Sequence, residues 1–177
     1  MRKAILIAIG LGLASPTAAA VVASQPGGFE VREQAQVAGT PAQVYAAIGQ
    51  IGQWWNSEHT YSGDAKNLSL ELRVGGCFCE QLKDGGSAKH MGVILVQPNK
   101  TVRLEGALGP LAATAGTGHL TFALSAKDAG TNVVLTYDFG GYANGGMGDF
   151  AAPVDAVLGG QLDRLRRYIE TGRPDAH

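Results

Sequence analysis

The stretch from Asp149 to Thr171 constrains this chain more than any other. Phe150, Val154, Val157, Leu158, Leu162, Leu165, Tyr168 and Ile169 recur at steps of three and four, which draws one apolar stripe along a helix. Asp155, Asp163, Arg164, Arg166, Arg167 and Glu170 fall on the other side and are expected to face water. Asp149 and Pro153 suit the first turns of such a helix, and Gly172 followed by Pro174 suits its end. A stripe of this length must be buried against something. The residues upstream offer strand-like segments and no second long helix, so the partner is a sheet.

The beginning of the chain reads as an address rather than as fold. Arg2 and Lys3 precede an apolar run from Ala4 to Ala14, and the small residues of Ala18-Ala19-Ala20 follow. This is the pattern of a secretory signal peptide over 1–20 with cleavage after Ala20, the next site being Val21-Val22-Ala23. The run is too short to span the roughly 30 Å of a bilayer core. The expected location is therefore the periplasm or the exterior. Removing residues 1–20 leaves 157 of the 177 residues, enough for one domain with a real core. It also lowers Lys+Arg from 14 to 12 against 15 Asp+Glu, for a net charge of about -3. No basic stripe remains to bind nucleic acid, and no later segment is long and apolar enough to cross a membrane.

Residues 21–28 are expected as a flexible lead-in, 29–171 as the domain and 172–177 as a tail. Phe29 to Ala38 alternates as a half-buried strand. Thr40 and Pro41 then open a short helix as N-cap and first residue, with Val44, Tyr45 and Ile48 on its apolar face. A second short turn carries Ile51, Trp54 and Trp55. Strands follow over 68–72, 77–83, 89–97, 101–105, 118–125 and 132–140. They are separated by turn signals at Gly75-Gly76, Asp84-Gly85-Gly86, Pro98-Asn99 and Asp128-Ala129-Gly130, and by a small-residue loop over 107–116. Strands joined by short turns pair antiparallel. The expected architecture is α+β: a curved antiparallel sheet of about seven strands around one long C-terminal helix, with two short helices after the first strand.

With this order in view, the chain resembles the START-like superfamily, also called SRPBCC or Bet v 1-like, which has the helix-grip fold. The resemblance covers Phe29 to Glu170. It is carried by Thr40-Pro41 with Val44-Tyr45, by Trp54-Trp55, by Gly75-Gly76-Cys77-Phe78, by Gly92-Val93-Ile94 and by Gly130-Thr131. It is similar above all to the branch named for activators of the Hsp90 ATPase, together with the polyketide cyclases. These motifs are turns and packing positions, and none is catalytic. The resemblance implies an apolar cavity between sheet and helix that takes a lipid, sterol, polyketide or aromatic molecule. It also implies two alternatives: a cyclase, dehydratase or lyase using the same cavity, or an interaction module with a filled core. An exported member departs from the cochaperone role.

Several residues are candidates for such a site. Trp54 and Trp55 divide between core and cavity wall. Phe78 and Glu80 share one strand face, and Cys77 and Cys79 the other. If Phe78 faces the cavity, Glu80 does too, and it must find a partner such as Tyr137, His90 or an arginine, or else hold its proton. A one-residue slip would turn Glu80 to water and the cysteines inward. His90 lies in a strand apolar on both faces, so its direction is open. Phe122 sits with Leu120 and Leu124, and Tyr137 with Val133, Leu135 and Phe139, on inward faces. Gly159, beside the stripe, keeps one face of the helix low, either for a cavity or for close packing on the sheet. His59, in the loop after the tryptophans, is a second acid–base candidate beside Glu80. His119 is expected outside. In a flat strand the side chains of Cys77 and Cys79 lie too far apart for a bridge, so reduced thiols are expected. No spacing of cysteine or histidine matches a zinc module, and no metal or cofactor is expected. No nucleophile triad, phosphate loop or nicotinamide fingerprint is present.

Overall fold

The computed structural model describes residues 21–175. The elements run β1 (Val21–Gln25), β2 (Gly28–Val37), α1 (Pro41–Gly49), β3 (Leu68–Leu70), β4 (Cys77–Gln81), β5 (Ser87–Gln97), β6 (Thr101–Gly106), β7 (Ala115–Lys127), β8 (Gly130–Tyr142) and α2 (Ala151–Thr171), with short 3-10 turns between them. The eight strands form one curved, open antiparallel sheet in the order β1-β2-β8-β7-β6-β5-β4-β3. With the long helix this is the helix-grip architecture. The signal-peptide segment 1–20 lies outside the described residues. Among the described residues no helix is long and apolar enough to cross a membrane.

The eighth strand is β1. Val21–Gln25, expected as a flexible lead-in, pairs with the start of β2 as an exposed edge strand. Its sequence, VVASQ, does not alternate and all five residues are exposed, so no periodicity announced it. Contacts outside the ladder hold it: the Ser24 hydroxyl donates to the Gly148 carbonyl at 3.1 Å, and the Met147 amide to the Pro26 carbonyl at 2.8 Å.

Local chemistry accounts for the element ends. Thr40 caps α1 by accepting from the Gln43 amide, while the Gln43 side chain accepts from the Thr40 amide at 2.8 Å, a complete capping box with Pro41 inside it. Asp84, Asn99 and Asp128 take positive φ at three hairpin turns, where short polar side chains tolerate that conformation. Gly172 does the same at φ 76° and closes α2 by donating to the Tyr168 carbonyl at 2.9 Å.

Strand alternation supplies the core from the sheet: Val31 and Val37 on β2, Leu120 and Phe122 on β7, and Val133, Leu135, Tyr137 and Phe139 on β8 are all buried. From α2 come Leu158, Leu162 and Leu165. The helix lies across β2 and β1, and its last turn is tied back by Glu170, which accepts from the Ala38 amide at 3.1 Å. Its covered arc is wider than the apolar stripe. Asp155, expected in water, is only 5 % exposed, and Gln161 only 2 %. Gly159 sits over Glu33 of β2: a Cβ there would stand 3.3 Å from the Glu33 carboxyl carbon, tighter than ordinary contact. The glycine serves close approach of helix and sheet.

The thiol expectation is overturned, because Cys77 and Cys79 form a disulfide. A flat strand sets residues i and i+2 about 6.4–6.8 Å apart, but here the two Cα atoms are 5.3 Å apart, inside the range that disulfides occupy. The strand is therefore contracted. Phe78 pairs with Met91 and Cys79 with Lys89, so His90 is an extra residue on β5, a β-bulge opposite the bridge. The Gly75-Gly76 turn lies before β4 and is not where the ladder breaks. Unfolded but unreduced protein is expected to take up no alkylating label, and two labels per chain after reduction, as read by intact mass. Labelling before reduction would show that the bridge is absent.

Candidate functional site

A cleft of about 350 Å³ opens between the sheet and the first turns of α2. One wall is the loop Trp55, Glu58, His59, Thr60 and Tyr61. A second is Phe78 of β4 and His90 of β5. A third is Leu108 to Leu111, and the fourth is Phe150, Pro153, Val154, Val157 and Leu158 of the helix and its lead-in. Apart from the Trp55 indole N–H, Glu58, His59, Thr60, the Tyr61 hydroxyl and His90, these side chains are hydrocarbon.

The loop is held in place by polar groups that α2 sends under it. The Gln161 side chain accepts from the Asn56 amide at 2.9 Å, and Arg164 donates to the Trp54 carbonyl at 2.7 Å. These bonds explain a buried glutamine on an otherwise apolar face. Trp54 is core, its indole N–H donating to the Ala47 carbonyl at 2.8 Å. Trp55 donates to the His59 carbonyl at 3.1 Å, packs edge-on against Phe78 and turns its ring to the cleft.

Beneath the loop lies Glu80, 1 % exposed. One carboxylate oxygen accepts from the Ser62 amide at 2.5 Å. The other accepts from the Tyr61 amide at 3.1 Å and lies 2.9 Å from Nε2 of His90. Burial pushes its pKa up, but Ser62 and its amide, the Tyr61 amide and His90 together pull it further down. The net result is below the ordinary 4.5. Glu80 is thus held ionised and is not a carboxylic acid. It lies behind His90 and does not itself line the cleft.

The β5 bulge explains the direction of His90. The extra residue lets His90 and Met91, adjacent in sequence, both be buried. The imidazole stacks on Tyr61, with centroids 5.3 Å apart and planes 6° from parallel, and leans on Phe78 at 4.8 Å. The Tyr61 hydroxyl donates across the cleft mouth to the Gly109 carbonyl at 3.0 Å.

Of the residues singled out from sequence, the fold brings Trp55, Phe78, His90 and His59 to the cleft and sets Glu80 directly behind His90. Trp54, Phe122, Tyr137 and Gly159 are elsewhere. Phe122 is packed in the core. Tyr137 is fully buried, its hydroxyl donating to the Gly106 carbonyl and accepting from the Leu108 amide, both at 3.3 Å, and burial raises its pKa well above the usual phenol value. It anchors the Leu108 segment and offers nothing to a ligand. His119 lies on the outer face, 3.1 Å from Asp138. Tyr61, Leu108, Pro110 and Leu111 were missed. They sit in irregular segments with no period to read, whereas Val154 and Val157 were visible in the apolar stripe.

Because its folded pKa is lowered, Glu80 contributes stability that is present above the unfolded carboxylate value and is lost as pH falls through the folded one. Denaturant midpoints measured from neutral pH down through about pH 4 and below should fall more steeply for the wild type than for Glu80→Gln. Equal slopes would show that this carboxylate is not linked to folding.

The comparisons agree with this architecture. A family model described as polyketide cyclase / dehydrase and lipid transport matches residues 28–170. Among curated proteins none matches the sequence. Among solved structures, the chain is similar to the Aha1 dimer of Colwellia psychrerythraea, with 20% identity over 81% of this chain and 97% of that one and a TM-score of 0.58. It is also similar to CalU16 of Micromonospora echinospora, with 13% identity over 82% of this chain and 78% of that one and a TM-score of 0.55. DynU16, a protein of the dynemicin biosynthetic locus, shares 22% identity over 84% of this chain and 49% of its own length, at a TM-score of 0.57. At such identities the structures establish a shared fold, while the family model spans most of the sequence: the chain belongs to the polyketide cyclase / dehydrase and lipid transport family.

Proposed function

We propose that this domain binds a small hydrophobic molecule in the cleft between the sheet and α2. The observation that carries the reading is the cleft itself: about 350 Å³ with a largely hydrocarbon wall and a few polar groups at one end. That size and make-up are typical of small-molecule sites. A core filled to its surface, as a pure interaction module would have, leaves no such space. A second reading, a cyclase, dehydratase or lyase acting in the same cleft, is favoured by the buried Glu80–His90 pair, which is an arrangement suited to moving a proton.

Val157 lines the cleft, and a larger side chain there fills it. The variant Val157→Trp should bind Nile red at least about tenfold more weakly than the wild type, a loss of roughly 1.4 kcal/mol, with an unchanged melting temperature. Mass spectrometry of wild-type protein purified from its host should show a co-purifying apolar molecule that Val157→Trp lacks. Equal dye affinity in the two proteins would remove the cleft from consideration.

We further propose that the chain is exported and cleaved after Ala20. The basic start, the apolar run and the A-x-A end support this, as does a disulfide, which forms and persists in oxidising compartments. Cleavage after Ala20 keeps β1 whole, whereas cleavage after Ala23 removes most of it. The intact mass of protein from the cell envelope should correspond to a chain starting at Val21. A soluble product that still carries residues 1–20 would refute export.

A further inference from the structure

The His90 side chain has a single hydrogen-bond partner among the described residues, the Glu80 carboxylate at Nε2. An ionised carboxylate only accepts, so the neutral imidazole must carry its proton on Nε2. Glu80 cannot turn away or take up a proton cheaply, because the Ser62 and Tyr61 amides already point at its two oxygens. Nδ1 is then a bare acceptor. No group among the described residues donates to it, and it is not among the buried polar atoms sealed from solvent. The ring lines the cleft between hydrocarbon neighbours, with Tyr61 stacked on it and Phe78 beside it. Glu58 and His59 are the other titratable groups of the wall besides Tyr61. Both are exposed on the loop, outside the stacked cluster that holds His90.

We infer that the ligand of this cleft is an apolar molecule carrying a hydroxyl, which donates to Nδ1 of His90. The inference presupposes the cleft as the ligand site proposed above. It specifies the polar half of the ligand from the tautomer alone. A hydroxyl fits the bare acceptor, and an ether or ketone oxygen brings only a second acceptor. A carboxylate brings no proton and a charge that Glu80, one ring away, repels. Any proton the hydroxyl gives up passes to Nδ1, and the resulting imidazolium is paired with the Glu80 carboxylate. The step leaves the anion of the ligand in the cleft and needs no other reactant.

The test compares β-naphthol, its methyl ether and β-naphthoate by calorimetry at about pH 8.5, above the ordinary histidine range and below the ordinary phenol range. Wild-type protein should bind the naphthol at least about tenfold tighter than the ether, and the naphthoate most weakly. Glu80→Gln, whose amide can donate as well as accept, no longer fixes the tautomer. It should bring naphthol and ether to within about threefold of each other. Nitrogen NMR of labelled imidazole rings in the wild type should show His90 protonated at Nε2, a readout that needs no variant to fold. Naphthol and ether bound equally well by the wild type, or a proton found on Nδ1, would overturn the inference and leave the cleft as a site. If neither naphthol nor ether binds, the cleft reading fails and this inference falls with it.

Discussion

The structure around the cleft depends on one buried charge. Glu80 is enclosed at the junction of β4, β5 and the loop that follows the tryptophans. An unpaired carboxylate in such a place costs several kcal/mol. It is tolerated because two backbone amides and one imidazole are delivered to it. Those same bonds fix the loop at Tyr61 and Ser62 and fix the ring of His90. The charge therefore positions both sides of the cleft mouth. The apolar core gives the domain its stability, and the carboxylate decides which conformation of the mouth that stability supports.

Two irregularities in the sheet make this possible. Without the extra residue in β5, strict alternation would bury either His90 or Met91 but not both. The Cys77–Cys79 bridge lies on the other face of the strand that carries Glu80. A loop of three residues restrains the unfolded chain by only about 1.6 kcal/mol on the entropic account. Its larger effect is local, since it holds β4 contracted opposite the bulge. Bridge, bulge and carboxylate fall within a few residues of one another, while β5 is irregular a second time, against β6 between Val93 and Leu95, and the β1–β2 ladder shifts between Val21 and Ala23.

Much of this was legible beforehand. The apolar stripe of α2, the capping chemistry at Thr40-Pro41 and the turn residues at Asp84, Asn99 and Asp128 each follow a local rule, and the fold follows from them. The inward face of Glu80 was one of two readings that the alternation of its strand allowed, the other being a one-residue slip that turns it to water. The direction of His90 was not legible, because a bulge is set by pairing across strands and leaves no mark in one strand's own pattern. The disulfide was missed for the same reason: flat-strand geometry was applied where the ladder shifts. Tyr137 and Phe122 were read correctly as inward but wrongly as cleft residues, since inward on a sheet this wide leads mostly to packed core. The loops that complete the cleft, with Tyr61 and Leu108 to Leu111, have no periodicity and become neighbours only through the curvature of the sheet.

Tyr61 carries a last consequence. Its hydroxyl bridges the mouth to the Gly109 carbonyl, while half of the side chain remains in solvent. The net worth of one such bond is about 1 kcal/mol, which leaves roughly one molecule in six with the bridge broken at any instant. Side-chain rotation at an exposed position takes nanoseconds or less. The stack on His90 adds to that bond, so a broken bridge still leaves the ring over the imidazole, and clearing the mouth takes the loss of both contacts.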